Sequence, residues 1–502
     1  MIQFLLLFIF TGLISSLFGD KSRRVAVSLL ELSGVYEAAV GIGQLLGRFA
    51  RRHALFVMTG TFDNPGPFGG YVAMVAVVSL ADVLKNKGNL KYAITKTNLP
   101  GIIRLWIAIV SLILCVVVLP ASMSRAAWIA FVMVAVSLAL KDKRVREFIA
   151  RASWSLPVIC IVGIMCLCGL FALKKDSAVG RFHIWHMEAR AVAAKPLNGY
   201  GFGKAQGAYG AAQHDYFAQK PRTDIETRIA GCPEYAFNEY LKAAQEGGVF
   251  CLAVMLIILT FALYRLRGSA LQAGLMALSV FAAASYPLSL PEFRIAIAVI
   301  LGTTISSGKW KRSYFPLSVV LVAVSITAVR SYHGLKEYYD AKDSVKYLSF
   351  SSSGYYYPGL EERLSHYSEV LRDEYRFLYE YGLALNKAGR FDESNTVLAN
   401  GASISCDPMF HNIMGKNYQS LGRYEEAARE FEYASFMVPS RLYPHILQME
   451  LELSLGKDSA AMATAERVLA MPVNPRNANM TDLRERAAFV RDSLVNIGNY
   501  GE

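Results

Sequence analysis

The sequence has little charge and few cysteines. Only 18% of its 502 residues are charged, against 54% that are hydrophobic. The seven cysteines lie mostly inside apolar runs, and no two of them show a spacing typical of a zinc site or of a disulfide framework. The sequence therefore predicts neither a metal site nor a disulfide framework.

Basic residues are in excess, but they do not form the pattern of a nucleic-acid-binding surface. The formal net charge is +12. The lysines and arginines lie in short clusters between apolar runs, as the topology of a membrane protein requires. No basic stripe with interleaved aromatic residues is present, so we expect no nucleic-acid partner.

Long apolar runs are absent after Arg330, whereas the chain before it contains about ten of them. The first run lacks the basic residues and the cleavage site of a signal peptide, which favours a membrane helix. The second contains Glu31 and Glu37, which would face the protein interior in a span; the alternative is an amphipathic helix at the membrane interface. We predict membrane spans at residues 2–18, 25–46, 68–84, 99–119, 126–140, 154–173, 249–264, 269–288, 293–306 and 314–329.

The basic clusters predict an orientation in the membrane. The clusters at 85–104, 141–151, 265–267 and 309–312 fit the cytoplasmic side. The polar insert 174–247, the turn at Arg125 and residues 331–502 then lie on the outer side. Segment 48–53 disagrees, because it would lie outside despite three arginines. Either the topology is locally wrong, or this patch, which includes Arg48, meets an anionic ligand.

Residues 331–502 contain a repeat. YGLALNKAGRFDESNTVL (381–398) matches MGKNYQSLGRYEEAAREF (414–431), and Leu-Gly-Lys at 455–457 continues the pattern. The segment resembles tetratricopeptide repeats, in which small residues let paired helices approach and the Gly-Arg-aromatic turn lies between them. The resemblance implies a soluble α-helical solenoid whose concave face binds a protein partner. Alternatively, the domain only caps or dimerises the protein.

The insert and the turn at Arg125 carry side chains suited to a phosphorylated sugar donor. An arginine offers a planar fork that matches phosphate oxygens and keeps its charge, which makes Arg125 and Arg181 candidates for binding a diphosphate. The alternatives are a snorkelling arginine and aromatic residues of the interfacial belt. The insert also has aromatic side chains suited to sugar faces, namely Trp185, Tyr200, Tyr209, Tyr216 and Tyr235.

Four motifs in order resemble the O-antigen ligase family. They are GTFDNPGPFGGY (60–71), SMSRAAWIA (122–130), GRFHIWHMEARAVAAKPLNGYGFG (180–203) and FNEYLKAAQEGG (237–248). The likeness covers about residues 25–310 and agrees with the apolar runs, which predict an all-α polytopic membrane bundle over residues 1–330. It implies that this bundle lies in a bacterial inner membrane, with the insert and residues 331–502 in the periplasm. It also implies an inverting, metal-independent transfer of a glycan from a polyprenyl diphosphate to an acceptor hydroxyl, with Arg125 and Arg181 on the diphosphate.

One position departs from the family pattern. The family usually has a histidine before Asn238, as presumed base or acceptor-orienting group, and this chain has Phe237. We predict Glu239 as the base, because a carboxylate in a partly dry cleft can gain basicity; the alternative is a carboxylate that stabilises the first turn of a helix. The predicted substrate-binding residues are Trp185, His183, His186, Asn238, Tyr240 and Arg48.

Three functions remain open at this level. The first is transfer of a lipid-linked glycan to a lipid or protein acceptor. The second is a polymerase of the same family, which extends the glycan itself. The third is a non-catalytic membrane scaffold that recruits partners through its repeat domain. The substitution at Phe237 and the few helices before the region matching the family favour this third possibility.

Overall fold

The structure, a computed structural model, describes residues 7–12, 15, 19–86, 99–151, 175–219, 223–305, 314–352, 356–472 and 478–499. These residues are mostly α-helical and include no β-strand, which confirms the predicted all-α class. The chain divides into two compact units. Unit 1 comprises Met1–Lys175, Phe237–Tyr240 and Leu252–His333, and unit 2 comprises Asp176–Ala236, Leu241–Cys251 and Gly334–Glu502. Most of the predicted insert is thus grouped with the C-terminal residues.

The described helices of the first two thirds of the chain coincide with seven of the ten predicted spans, and three more lie in the insert 174–247. The predicted span at 2–18 lies partly outside the described residues. The described helices are α1 (Asp20–Leu45), α2 (Pro65–Asn86), α3 (Leu99–Val118), α4 (Arg125–Ala139), α5 (Lys143–Arg151), α6 (Lys175–Ala194), α7 (Ala205–Gln219), α8 (Asp224–Ile229), α9 (Glu239–Arg265), α10 (Ala270–Ala282) and α11 (Pro291–Gly302).

Helix α2 forms the centre of unit 1. It packs against α1, α3, α4 and α10. Its apolar window is 78% buried inside the protein. A helix that is apolar on every side is stable only when neighbours or lipid surround it, and here the neighbours are protein. Helix α2 therefore sets the positions of the helices around it.

Four described helices are long and apolar enough to cross a membrane: Lys21–Leu45, Pro65–Asn86, Leu99–Val118 and Glu239–Arg265. Helices α4 and α10 are apolar but shorter. The predicted span at 154–173 lies outside the described residues. Helix α9 is only 11% buried over its apolar window, so lipid is the environment that suits its surface.

Both glutamates of α1 are buried, which confirms that they face the protein interior. The Glu37 carboxylate accepts hydrogen bonds from Thr61 Oγ1 at 2.5 Å and from Thr61 N at 3.0 Å, and so fixes the loop before α2. Glu31 is fully buried in the same bundle as the ion pair between Arg104 Nη2 and Asp82 Oδ1, which are 2.6 Å apart. Polar interactions of this kind hold α1, α2 and α3 together inside an otherwise apolar bundle.

The helices of the last third of the chain form pairs. The first of them contains the predicted span at 314–329 and continues without a break to Ser352. The helices are α12 (Tyr314–Ser352), α13 (Leu360–Ser365), α14 (Tyr375–Lys387), α15 (Phe391–Ile404), α16 (Met409–Ser420), α17 (Tyr424–Met437), α18 (Tyr443–Ser454), α19 (Asp458–Ala470) and α20 (Ala478–Asn499). Helices α14 and α15, α16 and α17, and α18 and α19 pack against each other as pairs.

The turn within each pair has the same geometry and the predicted sequence. Gly389, Gly422 and Gly456 have φ of 78°, 76° and 67°. The residue after each glycine donates its backbone N–H to a carbonyl five residues earlier, at 2.9, 2.8 and 2.9 Å. This is the left-handed helix ending that glycine permits at no steric cost. The Gly-Arg-aromatic sequences at 389–391 and 422–424 thus lie between paired helices, and Gly456-Lys457 has the same position in the third pair.

Helix α7 of the insert packs against α15 and α17 within unit 2. A Cβ at Gly207 would lie 2.2 Å from Ser403 O, so only glycine permits this approach. Cys232, which precedes α9, forms a disulfide with Cys406, which follows α15. The cysteine spacing, which suggests no disulfide framework, did not indicate this bond. Neither cysteine lies in an apolar run, and the 174-residue separation between them concealed the pairing.

Candidate functional site

The motifs that belong to unit 1 converge on the end of the bundle where α2 begins. We call this region the motif cluster, and define it as residues 59–71, 122–125, 237–240 and 286–294. Two aromatic contacts show the convergence. The Phe293 ring lies 5.9 Å from that of Phe62 and 5.5 Å from that of Tyr71, measured between centroids.

The two glycines of the PFGGY sequence give α2 its close contacts. A Cβ at Gly69 would lie 2.5 Å from Ser122 Oγ and 2.7 Å from Ser124 Cβ. A Cβ at Gly70 would lie 2.3 Å from the Phe281 ring of α10. The missing side chains therefore let the turn before Arg125 lie directly on α2.

Arg125 is the first residue of α4 and is half-buried. The turn before it is held by two hydrogen bonds to Leu119 O, from Ser122 Oγ at 2.6 Å and from Trp128 Nε1 at 2.8 Å. Met123 within this turn has a φ of 50°. The backbone around Arg125 is thus fixed from both sides.

The FNEY segment at the start of α9 is fixed by its own side chains. Asn238 Oδ1 accepts from Tyr240 N at 3.0 Å, which caps the helix. Glu239 is buried, and its Oε1 accepts from Leu288 N at 2.6 Å. The Tyr240 hydroxyl donates to Ser279 O of α10 at 2.9 Å. The three predicted site residues in this segment, Asn238, Glu239 and Tyr240, therefore each form a side-chain hydrogen bond within the protein.

Phe237 occupies the position of the expected histidine and has a φ of 54°. Its ring meets that of Tyr286 edge-on, with centroids 5.2 Å apart. Among the described residues, Phe237 and Met123 are the two non-glycine residues with a positive φ. Such a conformation costs about 1–3 kcal/mol and is concentrated at functional sites. Both residues lie in the motif cluster, which marks this end of the bundle as the candidate site.

The remaining predicted site residues lie on α6 of unit 2. Arg181 and Trp185, one helical turn apart, share a face and are half-buried. His183 and Met187 form the buried face of the same helix. His186 is exposed, and its ring centroid lies 5.6 Å from that of Tyr216. Arg181 and Trp185 thus lie on a different face of α6 from His183 and Met187.

His183 contributes to packing rather than to an open binding surface. Its Nε2 lies 3.0 Å from Gln213 Oε1, which also accepts from the Tyr209 hydroxyl at 2.7 Å. Because Gln213 Nε2 donates to Gly231 O and Met437 O, Gln213 Oε1 is an acceptor and His183 Nε2 must donate. Burial lowers the pKa of His183 and so favours the neutral ring, whose Nε2–H tautomer can donate this bond.

The beginning and the end of the insert meet backbone to backbone. Tyr200 N donates to Gln245 O at 2.9 Å, and Gly201 N donates to Glu246 O at 2.8 Å. A Cβ at Gly248 would lie 1.8 Å from Leu197 O, so glycine is required where α9 kinks. The glycines of the GYGFG and QEGG motifs therefore close the insert.

Arg48 lies in the exposed segment that follows α1. In the same segment, Arg52 Nη1 donates to Thr61 O at 2.5 Å. Thr61 belongs to the motif cluster and is held by Glu37. The side chain of Arg52 therefore attaches segment 48–53 to the backbone of the candidate site.

Arg294 belongs to the motif cluster but is not one of the site residues predicted from the sequence. It lies in the first turn of α11 and donates from Nη2 to Ser289 O at 3.0 Å. It was counted inside the predicted span 293–306. An arginine within an apolar run is itself a signal of function, which could have identified it.

In the part of the chain that the structure describes, no group of three or more His, Cys, Asp or Glu side chains is placed to hold a metal ion. The motif cluster holds two arginines, Arg125 and Arg294, and three carboxylates, Asp63, Glu239 and Glu292, of which Glu239 accepts a hydrogen bond from Leu288 N.

Comparison with known proteins identifies the middle of the chain. No curated protein matches the sequence. Residues 110–256 match the family model described as O-antigen ligase. The matched region includes Arg125, Arg181 and the FNEY segment, and the match supports a membrane function of the glycosyltransferase type. The predicted resemblance to the O-antigen ligase family is confirmed over residues 110–256.

Proposed function

We propose that the protein is an O-antigen ligase-type glycosyltransferase of the bacterial inner membrane. It transfers a glycan from a polyprenyl diphosphate carrier to an acceptor hydroxyl. The observation that carries this proposal is the fixed turn before Arg125, in which Gly69 of α2 permits the contact with Ser122 and Ser124. A guanidinium held in place before substrate binds stabilises developing charge without reorganisation.

The reaction balances without a metal ion in the proposed scheme. The acceptor oxygen attacks the anomeric carbon, the bond from that carbon to the diphosphate oxygen breaks, and the acceptor proton is transferred to a base or to the leaving diphosphate. The leaving group gains negative charge as the bond breaks. Arg125 and Arg181 are proposed to neutralise it, because arginine forks bind phosphate oxygens by paired hydrogen bonds. Trp185, on the same face of α6 as Arg181, is proposed to pack against a sugar face.

We assign Glu239 a positioning role. Its bond from Leu288 N links the start of α9 to the turn before α11. The carboxylate oxygen that accepts this bond holds the backbone of the turn in place. Asn238 and Tyr240 are proposed to act in the same way, through their bonds within the cluster.

The insert and the C-terminal residues are proposed to lie on the periplasmic side. The disulfide between Cys232 and Cys406 supports this orientation, because disulfides persist in oxidising compartments. The helix pairs of residues 375–470 are proposed to be tetratricopeptide-like repeats that bind the acceptor or a protein partner. This external module favours ligation to an acceptor over polymerisation.

Substitution of each arginine tests the proposal. In cells that express Arg125→Ala or Arg181→Ala, we expect glycan transfer to fall by about two orders of magnitude, while full-length glycan accumulates on the lipid carrier. The control is Arg372→Ala, because Arg372 is exposed in unit 2 and its nearest ionic partner, Asp373, is 3.7 Å away. Transfer that survives both substitutions would refute the diphosphate role. Loss of all glycan lengths above one repeat would instead indicate a polymerase.

A further inference from the structure

Arg294 has donors that the protein itself does not use. The residue is half-buried, and its Nε is buried without a hydrogen-bond partner. Only Nη2 is bonded, to Ser289 O at 3.0 Å. A buried donor left unpaired costs about 1–3 kcal/mol, so such a group in a native protein calls for a ligand or another compensation.

No carboxylate among the described residues forms an ion pair with Arg294, unlike Arg104, which pairs with Asp82. Glu292 lies in the same first turn of α11 but forms no ion pair with Arg294. The guanidinium therefore keeps N–H donors for a ligand, and the ligand that matches such a fork is an anion with several oxygens.

The position of Arg294 links it to the motif cluster. The turn 286–289 contacts Phe237 through Tyr286 and Glu239 through Leu288 N. Arg294 bonds the same turn at Ser289 O. The FNEY segment and Arg294 are therefore attached to one short turn, and displacement of either would move the other.

The backbone at Arg294 is also rigidly supported. Phe293, the preceding residue, is fully buried and lies within 6 Å of three aromatic rings, those of Phe62, Tyr71 and Phe281, measured between centroids. A guanidinium on such a support is already positioned before a ligand binds, which reduces the entropy lost on binding.

We propose that Arg294 contacts the diphosphate of the lipid-linked donor from within the motif cluster, which also holds Arg125. The inference rests on the proposed function and extends it by one residue. The ligand is a lipid diphosphate rather than a free one, because Arg294 begins an apolar helix, where a prenyl chain has apolar surface to occupy. If Arg294 only closed the turn 286–289, it would use one of its five N–H donors and leave Nε unpaired.

Binding of geranylgeranyl diphosphate to the purified full-length protein tests the inference. We expect Arg294→Gln to weaken binding of this probe at least tenfold. Binding of geranylgeraniol, which has the same chain without the diphosphate, should not change. Arg294→Lys should give an intermediate affinity, because lysine keeps the charge but not the fork. Arg372→Gln is the control and should match the wild type.

Three outcomes would overturn the inference. The first is unchanged binding of geranylgeranyl diphosphate by Arg294→Gln. The second is an equal loss for both prenyl probes together with a lower Tm, which would indicate a structural role. The third is binding of inorganic pyrophosphate as tight as that of the lipid. If the wild type binds the diphosphate probe but Arg125→Ala and Arg181→Ala retain that binding, the proposed function fails while the Arg294 result still stands.

Discussion

Glu239 shows how the partners of a motif residue determine its role. The sequence marks it as a carboxylate near the missing histidine, and the structure gives its Oε1 a backbone donor, Leu288 N, at 2.6 Å. A glutamine retains an acceptor oxygen at this position, whereas a leucine does not. The two substitutions therefore separate positioning from proton transfer.

We expect Glu239→Gln to keep glycan transfer within about threefold of the wild type, because the bond to Leu288 N is preserved. Glu239→Leu should destabilise the protein by about 1–3 kcal/mol and lower transfer, because that buried N–H loses its partner. The measurements are transfer in isolated membranes across pH and Tm of the purified protein. A loss of more than a hundredfold in Glu239→Gln, together with loss of the acidic limb of the pH profile, would assign Glu239 as the base.

Individual site residues could be predicted from the sequence only where they belong to a family motif. Arg125 and Arg181 follow from the resemblance to the ligase family, and the match over residues 110–256 agrees with it. The role of His183 depends on Gln213, thirty residues away, and that of Tyr240 on Ser279. No local pattern reports such partners, because they are brought together only when separate helices pack.

At the scale of elements, apolar runs predict which segments are helical but not where the helices end. Helix α9 begins at Glu239, ten residues before the predicted span at 249, and α12 continues to Ser352, well beyond the predicted end at 329. Hydropathy reports the part of a helix that lipid or core surrounds. The helix itself continues through polar residues until a cap or a turn ends it.

Close helix contacts could be predicted better, because glycine marks them. Gly382 faces Leu398 and Gly415 faces Phe431, each at a distance that leaves no room for a Cβ. These contacts recur at the same position of successive helix pairs, as the repeat in the sequence indicates. The contact of Gly207 with Ser403 has no repeat to reveal it.

We expect Gly207→Ala to weaken the packing of α7 against α15, because the added Cβ would lie 2.2 Å from a backbone oxygen that cannot move aside. The cost should be about 2 kcal/mol, as for other overpacked contacts. Limited proteolysis should then cut near residues 219–223 faster than in the wild type. Gly334→Ala is the matched control, since Gly334 is also helical and has no atom within 4 Å of the added Cβ. Equal cleavage rates in the two variants would argue against the contact.

At the scale of the whole molecule, the division into two units was not predictable. The sequence assigns the insert to the membrane domain because apolar runs flank it. Within unit 2, however, the insert is tied to the C-terminal helices by Gln213, by α7 and by the disulfide between Cys232 and Cys406. These links join residues more than 150 positions apart, and each requires both partners to be folded.

The disulfide also allows the orientation to be measured. In Cys406→Ser, the thiol of Cys232 is left without its partner, and Cys232 is exposed. We expect a membrane-impermeant maleimide added to cells with a permeable outer membrane to label this variant. The double variant Cys232→Ser/Cys406→Ser supplies the background from the other cysteines. Labelling that requires disruption of the inner membrane would place the insert in the cytoplasm.

The disulfide between Cys232 and Cys406 restricts how many times the chain between these residues crosses the membrane. Two sulfurs that pair must share one aqueous compartment, so the residues between them cross the bilayer an even number of times. The predicted spans at 249–264, 269–288, 293–306 and 314–329 lie between these cysteines, and four crossings satisfy the condition. Removing any one of these spans from the topology would require that a second be removed or added. A single covalent bond thus constrains the path of the chain through the membrane without reference to charge or hydropathy.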